Sequence, residues 1–366
     1  MIQKLKPYHY SNPEYFESEI KQVFDANWQF VCMKSEIPEQ YSFATVDFFG
    51  KQYFAVNIDN EIKCFQNVCS HRSNKIYTED FGKRPVMCLY HSWVYDKDGA
   101  PVNAFVKEFI EDVPADELKL TEYEIATVGD FVFANFGLCT ISLKDQLGFF
   151  YDELETFSEF LGHKIENVTM VNQANWKLLI ENVLECYHCS TVHKESLFSK
   201  FGMGRKSLED VKIFNGSSSF EIPFLPNKDS KRRDKILRYL EDRKKKHGSF
   251  YHIFIFPNLF ITSTEGLSFY VAQLQPVAFD KSVLKARYFE PKVEGIDNHR
   301  NLQDMVNQDI VNFGSQVIEE DRLIIENVQK SLGIHNKNLY LNKEEIRIQA
   351  FHEQYCSQID THEFHQ

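Results

Sequence analysis

Apolar and polar positions follow two different rhythms along the chain. From Pro13 to Trp28 the apolar residues Phe16, Ile20, Val23 and Phe24 recur at three- and four-residue spacing, the period of a helix with one buried face. From about Cys32 to Phe136 the rhythm shortens to runs rich in β-branched and aromatic residues, broken by turn formers. Ser42–Phe49, Gln52–Ile58 and Glu61–Gln66 are such runs, separated at Phe49-Gly50-Lys51 and at Asp59-Asn60, and Asp96-Lys97-Asp98-Gly99 is a further hairpin-type turn. Helical spacing returns at Phe149–Leu161 and Lys177–Cys189. A second β-rich block covers Phe250–Phe289, and a closing helix runs from about Val306 to Leu332. The pattern predicts an α+β protein with a small antiparallel β module inserted near its beginning, residues 31–140, between segments 1–30 and 141–366.

Composition narrows the class of function. The 366 residues carry a net charge of −12, which argues against nucleic acid as a partner, because phosphate binding needs a basic surface. The first residues, MIQKLKPYHYSNPEYFESE, lack the apolar core of a secretory signal, and no run of 18 apolar residues offers a membrane span. A cytoplasmic location is therefore expected. The 33 Phe and 17 Tyr can build a thick core, an apolar pocket or both. Against the acidic background, Lys228–Lys246 holds ten Lys or Arg and four Asp or Glu, a solvated insertion or a docking patch for an acidic electron donor. Eight cysteines in a chain of this kind are not expected to form a disulfide framework.

Two of those cysteines begin the chemistry. Cys69-Ser70-His71 is followed, sixteen residues on, by Cys88-Leu89-Tyr90-His91. Two Cys and two His make either a zinc site or a cluster in which two His replace two Cys on one iron. Zinc knuckles usually group like ligands together, whereas here each short loop carries one of each. Alternation suits a [2Fe–2S] cluster, each loop sending its Cys to one iron and its His to the other.

A second constellation lies in Asn175–His193. His188 and His193 are five residues apart, and on an ideal helix they would point about 140° apart. To face one metal, the helix must end or bulge between them, and β-branched Thr191 and Val192 suit an ending there. Glu185, three residues before His188, is within contact range on a helix. Two imidazoles and a carboxylate form the facial triad of non-heme iron(II) oxygenases, which leaves coordination positions open.

Together these motifs resemble the Rieske non-heme iron oxygenases, in their large oxygenase subunit. Respiratory Rieske proteins carry an extra Cys in each loop, joined as a disulfide; Asn74 and Tyr90 stand at those places here. Ser73 and Ser92 stand where relatives commonly have Gly, and Leu89 where Pro is common. Asn175–His193 resembles the family stretch E-N-x-x-D/E-x-Y-H-x4-H, and Glu319–Lys330 resembles E-D-x4-E-x-x-Q. The resemblance implies Cys69, His71, Cys88 and His91 as cluster ligands, and His188, His193 and Asp321 as ligands of a mononuclear Fe(2+). It implies Glu185 as the bridge for electrons between cluster and iron. The other acids of the closing helix (Asp304, Asp309, Glu319, Glu320, Glu326) are expected to be exposed, and Cys186 and Cys189 to be packing residues.

The fold implied is a Rieske domain inserted into a larger helix-grip-like catalytic domain, with a central antiparallel sheet flanked by helices. Tyr251–Ile261 resembles that sheet's central strand, with Leu267–Gln275 and Val283–Phe289 beside it. Alternation would turn some of Phe254, Phe256, Phe260, Phe269 and Tyr270 toward a substrate pocket. The implied activity uses O2 and electrons from NAD(P)H, delivered by a separate reductase, with or without a ferredoxin. No nucleotide fingerprint occurs in this chain. A head-to-tail homotrimer would bring the cluster of one copy beside the iron of the next. The Glu-Cys-Tyr-His-Cys spelling is closest to the branch that oxidises betaines, carnitine and choline, so hydroxylation or N-demethylation of a quaternary ammonium compound is expected. The alternatives are aromatic-ring dihydroxylation, an electron carrier without oxygenase activity, and a zinc-stabilised binding protein.

Overall fold

The structure, a computed structural model, is described over residues 1–103, 113–204, 209–224, 238, 240, 244–293, 300–335 and 337–359. Most of the basic stretch Lys228–Lys246 lies outside the described residues. The chain divides into two compact units: Phe24–Gln146, inner along the sequence, and the flanking Met1–Val23 with Leu147–Gln366, outer along the sequence.

The inner unit is a seven-stranded antiparallel sheet. Its strands are β1 (Gln29–Met33), β2 (Ser42–Phe48), β3 (Lys51–Ile58), β4 (Glu61–Gln66), β5 (Phe81–Lys83), β6 (Glu122–Val128) and β7 (Phe131–Asn135), in the order β1-β7-β6-β4-β3-β2-β5. The tight turns fall where the polar breaks lie, with Phe49, Asp59 and Asn60 at positive φ. Phe43, Phe54, Phe65, Tyr77, Trp93 and Tyr95 pack with Cys69 and Cys88 into one apolar cluster. The two loops that carry the Cys and His residues therefore rise from a rigid base.

The outer unit is built on a second seven-stranded antiparallel sheet. It comprises β8 (Leu161–Asn172), β9 (Glu209–Phe214), β10 (Ser217–Pro223), β11 (Ser249–Ile255), β12 (Leu259–Thr264), β13 (Ser268–Ala278) and β14 (Lys281–Pro291), in the order β8-β14-β13-β12-β11-β10-β9. The stretch Tyr251–Ile261 is thus two strands, not one. Pro257 has no N–H to give a ladder, and the chain turns there between β11 and β12.

Around this sheet lie α1 (Pro13–Glu19), α2 (Phe150–Ser158), α3 (Trp176–Val183), α4 (Arg300–Leu332) and α5 (Ile346–Gln358). The helix expected over Pro13–Trp28 becomes α-helical only to Glu19 and then a π-helical turn, Ile20–Phe24. Its buried positions are Tyr15, Glu19, Val23 and Phe24, so a charge sits where the apolar pattern places Phe16 and Ile20. Fully buried Glu19 is held from three sides. Lys177 pairs with it, Trp176 Nε1 donates to it over 2.8 Å, and the Tyr355 hydroxyl also donates to it. This one carboxylate ties α1 to α3 and α5.

Candidate metal and cluster sites

The two loops of the inner unit are near copies of each other. In the first, the amide of Ser73 donates to the carbonyl of Cys69 (3.0 Å); in the second, Ser92 donates to Cys88 (2.9 Å). Both serines have φ 57°, the left-handed region that glycine enters most easily. That conformation explains why a glycine suits each position.

The loops bring like ligands together. The thiols of Cys69 and Cys88 are in hydrogen-bonding contact at the buried base. The rings of His71 and His91 meet at the exposed tip, centroids 4.6 Å apart, with His71 stacked on Trp93 at 4.8 Å. Burial raises the Cys69 thiol. For Cys88 burial also raises, but it is outweighed by donors, the Tyr90 amide first and then Cys69, Asn74 and the His91 amide, so its thiol is lowered. The Asn74 amide lies 3.6 Å from Cys88 Sγ, and the Tyr95 hydroxyl 3.1 Å from Cys69 Sγ. A sulfur pair below a nitrogen pair, with donors aimed at the sulfurs, fits a cluster with two Cys on one iron and two His on the other.

In the outer unit, α3 stops at Val183, well before the Cys189 expected from sequence. The backbone then passes through a 3₁₀ turn, His188–Ser190, and a π-helical turn, Lys194–Phe198. The early stop resolves the 140° problem, because the two His lie on separate turns. His188 Nε2 and His193 Nε2 come within 3.2 Å of each other. Asp321, projecting from α4, places Oδ1 3.5 Å from the first and 3.0 Å from the second.

Each histidine is gripped from behind. Glu185 contacts His188 Nδ1 and also accepts from the His188 amide (3.2 Å), so it caps the turn rather than lying on a helix face. Glu320, expected to be an exposed helical acid, instead lies 2.7 Å from His193 Nδ1, and its carboxylate also accepts from Ser196 Oγ (2.6 Å) and Gln316 (2.8 Å). Carboxylates on both Nδ1 atoms leave both Nε2 atoms facing Asp321, the arrangement that metal-bound histidines need.

Burial alone would lower His188, but Asp321 and then Glu185 raise it to about 10. Burial likewise opposes the charge on Asp321, yet the two imidazoles hold its carboxyl below the usual range. Asp321 Oδ1 is buried against the two imidazole nitrogens, so the three ligand atoms, all within 4.8 Å, suit a shared cation.

A cavity of about 660 Å³ opens onto this triad, its wall including His188, His193 and Asp321. Phe201, Phe224, Phe250, Phe260, Phe313, Tyr270 and Tyr288 line it. Of the five aromatics nominated by alternation, Phe260 and Tyr270 line the cavity. Phe254 and Phe256 pack instead on Phe351 of α5, and Phe269 on Phe157 of α2. Cys186 and Cys189, expected only to pack, are joined as a disulfide in the structure. The end of α3 lets the chain turn there, which brings their Cα atoms to 5.0 Å, inside disulfide reach.

Residues 160–361 match the family model of the ring-hydroxylating α subunit (catalytic domain), and residues 27–111 match that of the Rieske [2Fe–2S] domain. The chain is 35% identical over 199 residues to the glycine betaine monooxygenase oxygenase subunit of Chromohalobacter salexigens, covering 52% of this chain and 43% of that one. It is 31% identical over 188 residues to the carnitine monooxygenase oxygenase subunit of Escherichia coli (strain K12), covering 50% of each. The matched stretch thus spans about half the length of these relatives or less. Its fold is similar to that of the quaternary ammonium Rieske monooxygenase CntA, with a TM-score of 0.78 at 18% identity over 97% of this chain and 95% of that one.

Proposed function

Since the chain belongs to the family of ring-hydroxylating oxygenase α subunits and carries a Rieske [2Fe–2S] domain, we propose that it is the terminal oxygenase of a multicomponent system acting on a small quaternary ammonium compound. Its reaction is hydroxylation or oxidative N-demethylation, with electrons drawn from NAD(P)H through a separate reductase, with or without a ferredoxin. Cys69, Cys88, His71 and His91 would hold the cluster. His188, His193 and Asp321 hold the mononuclear iron. The bound groups supply electron storage and O2 activation; the protein supplies the rest.

Glu185 and Glu320 keep the imidazole protons on Nδ1, so that Nε2 of each ring is free to ligate. Glu185, in contact with His188, would in addition bridge toward a cluster histidine of a neighbouring copy. The aromatic wall excludes water and offers ring faces to an ammonium group by cation–π attraction. The observation that carries this reading is the cavity itself, lined by eight Phe and Tyr side chains and open to the triad.

A head-to-tail homotrimer is supported by an exposed face on each unit. His71 and His91 reach the surface beside Leu89 and Tyr90 (61% and 56% exposed), and Tyr187 (72%) stands next to Glu185 and His188. A cytoplasmic location agrees with the absence, among the described residues, of a helix long and apolar enough to cross a membrane.

The test pairs spectra with products. The purified protein should be red-brown, with a reduced-state Rieske EPR signal, and should release formaldehyde or a hydroxylated product from betaine, carnitine or choline when supplied with reductase and O2. Products only from an aromatic panel would replace this reading with ring dihydroxylation. A colourless protein that holds zinc would overturn it.

A further inference from the structure

Cross-strand pairing sets Phe220, His252, Thr262, Tyr270 and Tyr288 side by side across β10 to β14, and all five line the cavity. The ring of His252 lies flat between Phe220 (centroids 5.2 Å, 18°) and Phe260 (6.1 Å, 10°), which fixes its plane. Its Nδ1 is 3.0 Å from a guanidinium nitrogen of Arg347 on α5. A guanidinium has donors only, so Nδ1 accepts and the ring proton sits on Nε2. Burial first, and then the neighbouring cation, hold His252 well below the usual imidazole range, so the ring is neutral. Its Nε2 is buried and has no hydrogen-bond partner.

Arg347 is fully buried. It donates to Ser218 Oγ (2.9 Å), to the Ser218 carbonyl (3.2 Å) and to the Leu184 carbonyl (3.3 Å), and stacks on Phe220 at 4.4 Å. Among the described residues no carboxylate reaches it. A guanidinium keeps its charge under almost all conditions, so an uncompensated cation sits behind the cavity, joined to it through one imidazole. A buried donor without an acceptor is costly, and more so beside a buried charge. Both deficits are met by the same ligand group, an anion that accepts a hydrogen bond.

We propose that His252, oriented by Arg347, is the anchor for a carboxylate on the substrate, its Nε2–H donating to a carboxylate oxygen. The inference rests on reading this cavity as the substrate site, and it narrows the substrate to a zwitterion bearing both a quaternary ammonium and a carboxylate. The ammonium then falls to the aromatic group of Phe201, Phe224 and Phe313. Lys200, the one Lys or Arg of the described lining, lies over the Phe313 ring at 4.4 Å and is the competing anchor.

The experiment is calorimetric titration of the metal-loaded protein with glycine betaine, its methyl ester, choline and benzoate, which needs no reductase. We expect betaine to bind about ten to a hundredfold more tightly than its ester or choline, the range for a charge-assisted hydrogen bond. His252→Phe, which keeps the stacked ring, should bring betaine down to the level of choline and leave choline unchanged. His252→Gln, which keeps a donor, should restore part of the preference. Equal binding of betaine and its ester by the unaltered protein overturns the anchor whatever the variants do. So does an equal loss for betaine and choline in His252→Phe, or loss of the preference in Lys200→Met. If only benzoate binds, and His252→Phe weakens it, the anchor stands and the quaternary ammonium reading falls. If neither carboxylate binds, the anchor falls.

Discussion

Glu185 and Glu320 do the same work on two histidines, but only one of them is legible in the sequence. Glu185 stands at a fixed distance from His188 in a short motif. Glu320 precedes the nominated ligand Asp321 on a helix, where neighbours point about 100° apart, so nothing in the spacing says that both face inward. Removing Glu185 should separate positioning from metal holding. Glu185→Ala is expected to keep the cluster and the mononuclear iron by metal analysis while losing coupled turnover, and near-normal turnover would remove the bridging role. Protons report on the same site. In metal-stripped protein, His188 keeps its proton from the ordinary 6.5 up to about 10. A metal must displace it, so metal uptake near pH 7 should release about one proton or more, and metal affinity should rise as pH rises toward 10. Titration in two buffers of different ionisation enthalpy counts those protons. Ser73 and Ser92 offer a third check. Each holds a left-handed backbone that costs a non-glycine residue about 1 kcal/mol or more, partly offset by the greater chain entropy of glycine. Ser73→Gly and Ser92→Gly should each stabilise the cluster unit by about 0.5 kcal/mol, read from the denaturation midpoint.

At the scale of elements, the strand runs were readable because apolar period and turn residues agree; Glu61–Gln66 appears with the same bounds. Helices were less so. Lys177–Cys189 keeps helical spacing past the point where the chain leaves the helix, because the contact of His188 with Asp321 and the cap of Glu185 on the turn outweigh helical preference. Buried Glu19, Lys177 and Arg347 are invisible to a hydrophobic pattern, since each is a charge stabilised only by distant partners. At one helical position the cavity wall leaves no room for a side chain. A Cβ on Gly314 of α4 would lie 2.3 Å from the hydroxyl of Tyr288 on the facing β14. Gly314→Ala should force Tyr288 or α4 to move, at about 1–3 kcal/mol in stability. Substrate affinity should fall as well, and thermal unfolding beside ligand titration would record both.

For the whole molecule, the two-domain plan was readable because a short-period block interrupts a longer-period chain. The division was placed only roughly, and the structure draws it at residues 23/24 and 146/147. Assembly was not legible in any periodicity; it rests on the resemblance and on exposed residues around His71, His91 and Glu185. Light scattering on the purified chain should give about three times 43.1 kDa. A stable monomer with full turnover would sink the trimer.

The three-sided hold on Glu19 also orders events during synthesis. Its carboxylate emerges from the ribosome early, whereas Trp176 and Lys177 follow 157 and 158 residues later and Tyr355 follows 336 residues later. At the usual rates of translation, the last of these arrives on the order of half a minute after Glu19. The inserted unit, continuous from Phe24 to Gln146, can close long before then. The host unit cannot, because its first segment waits for Trp176 and Lys177 in mid-chain and then for Tyr355. A nascent chain stalled before α5 would carry a finished cluster fold inside an unfinished host.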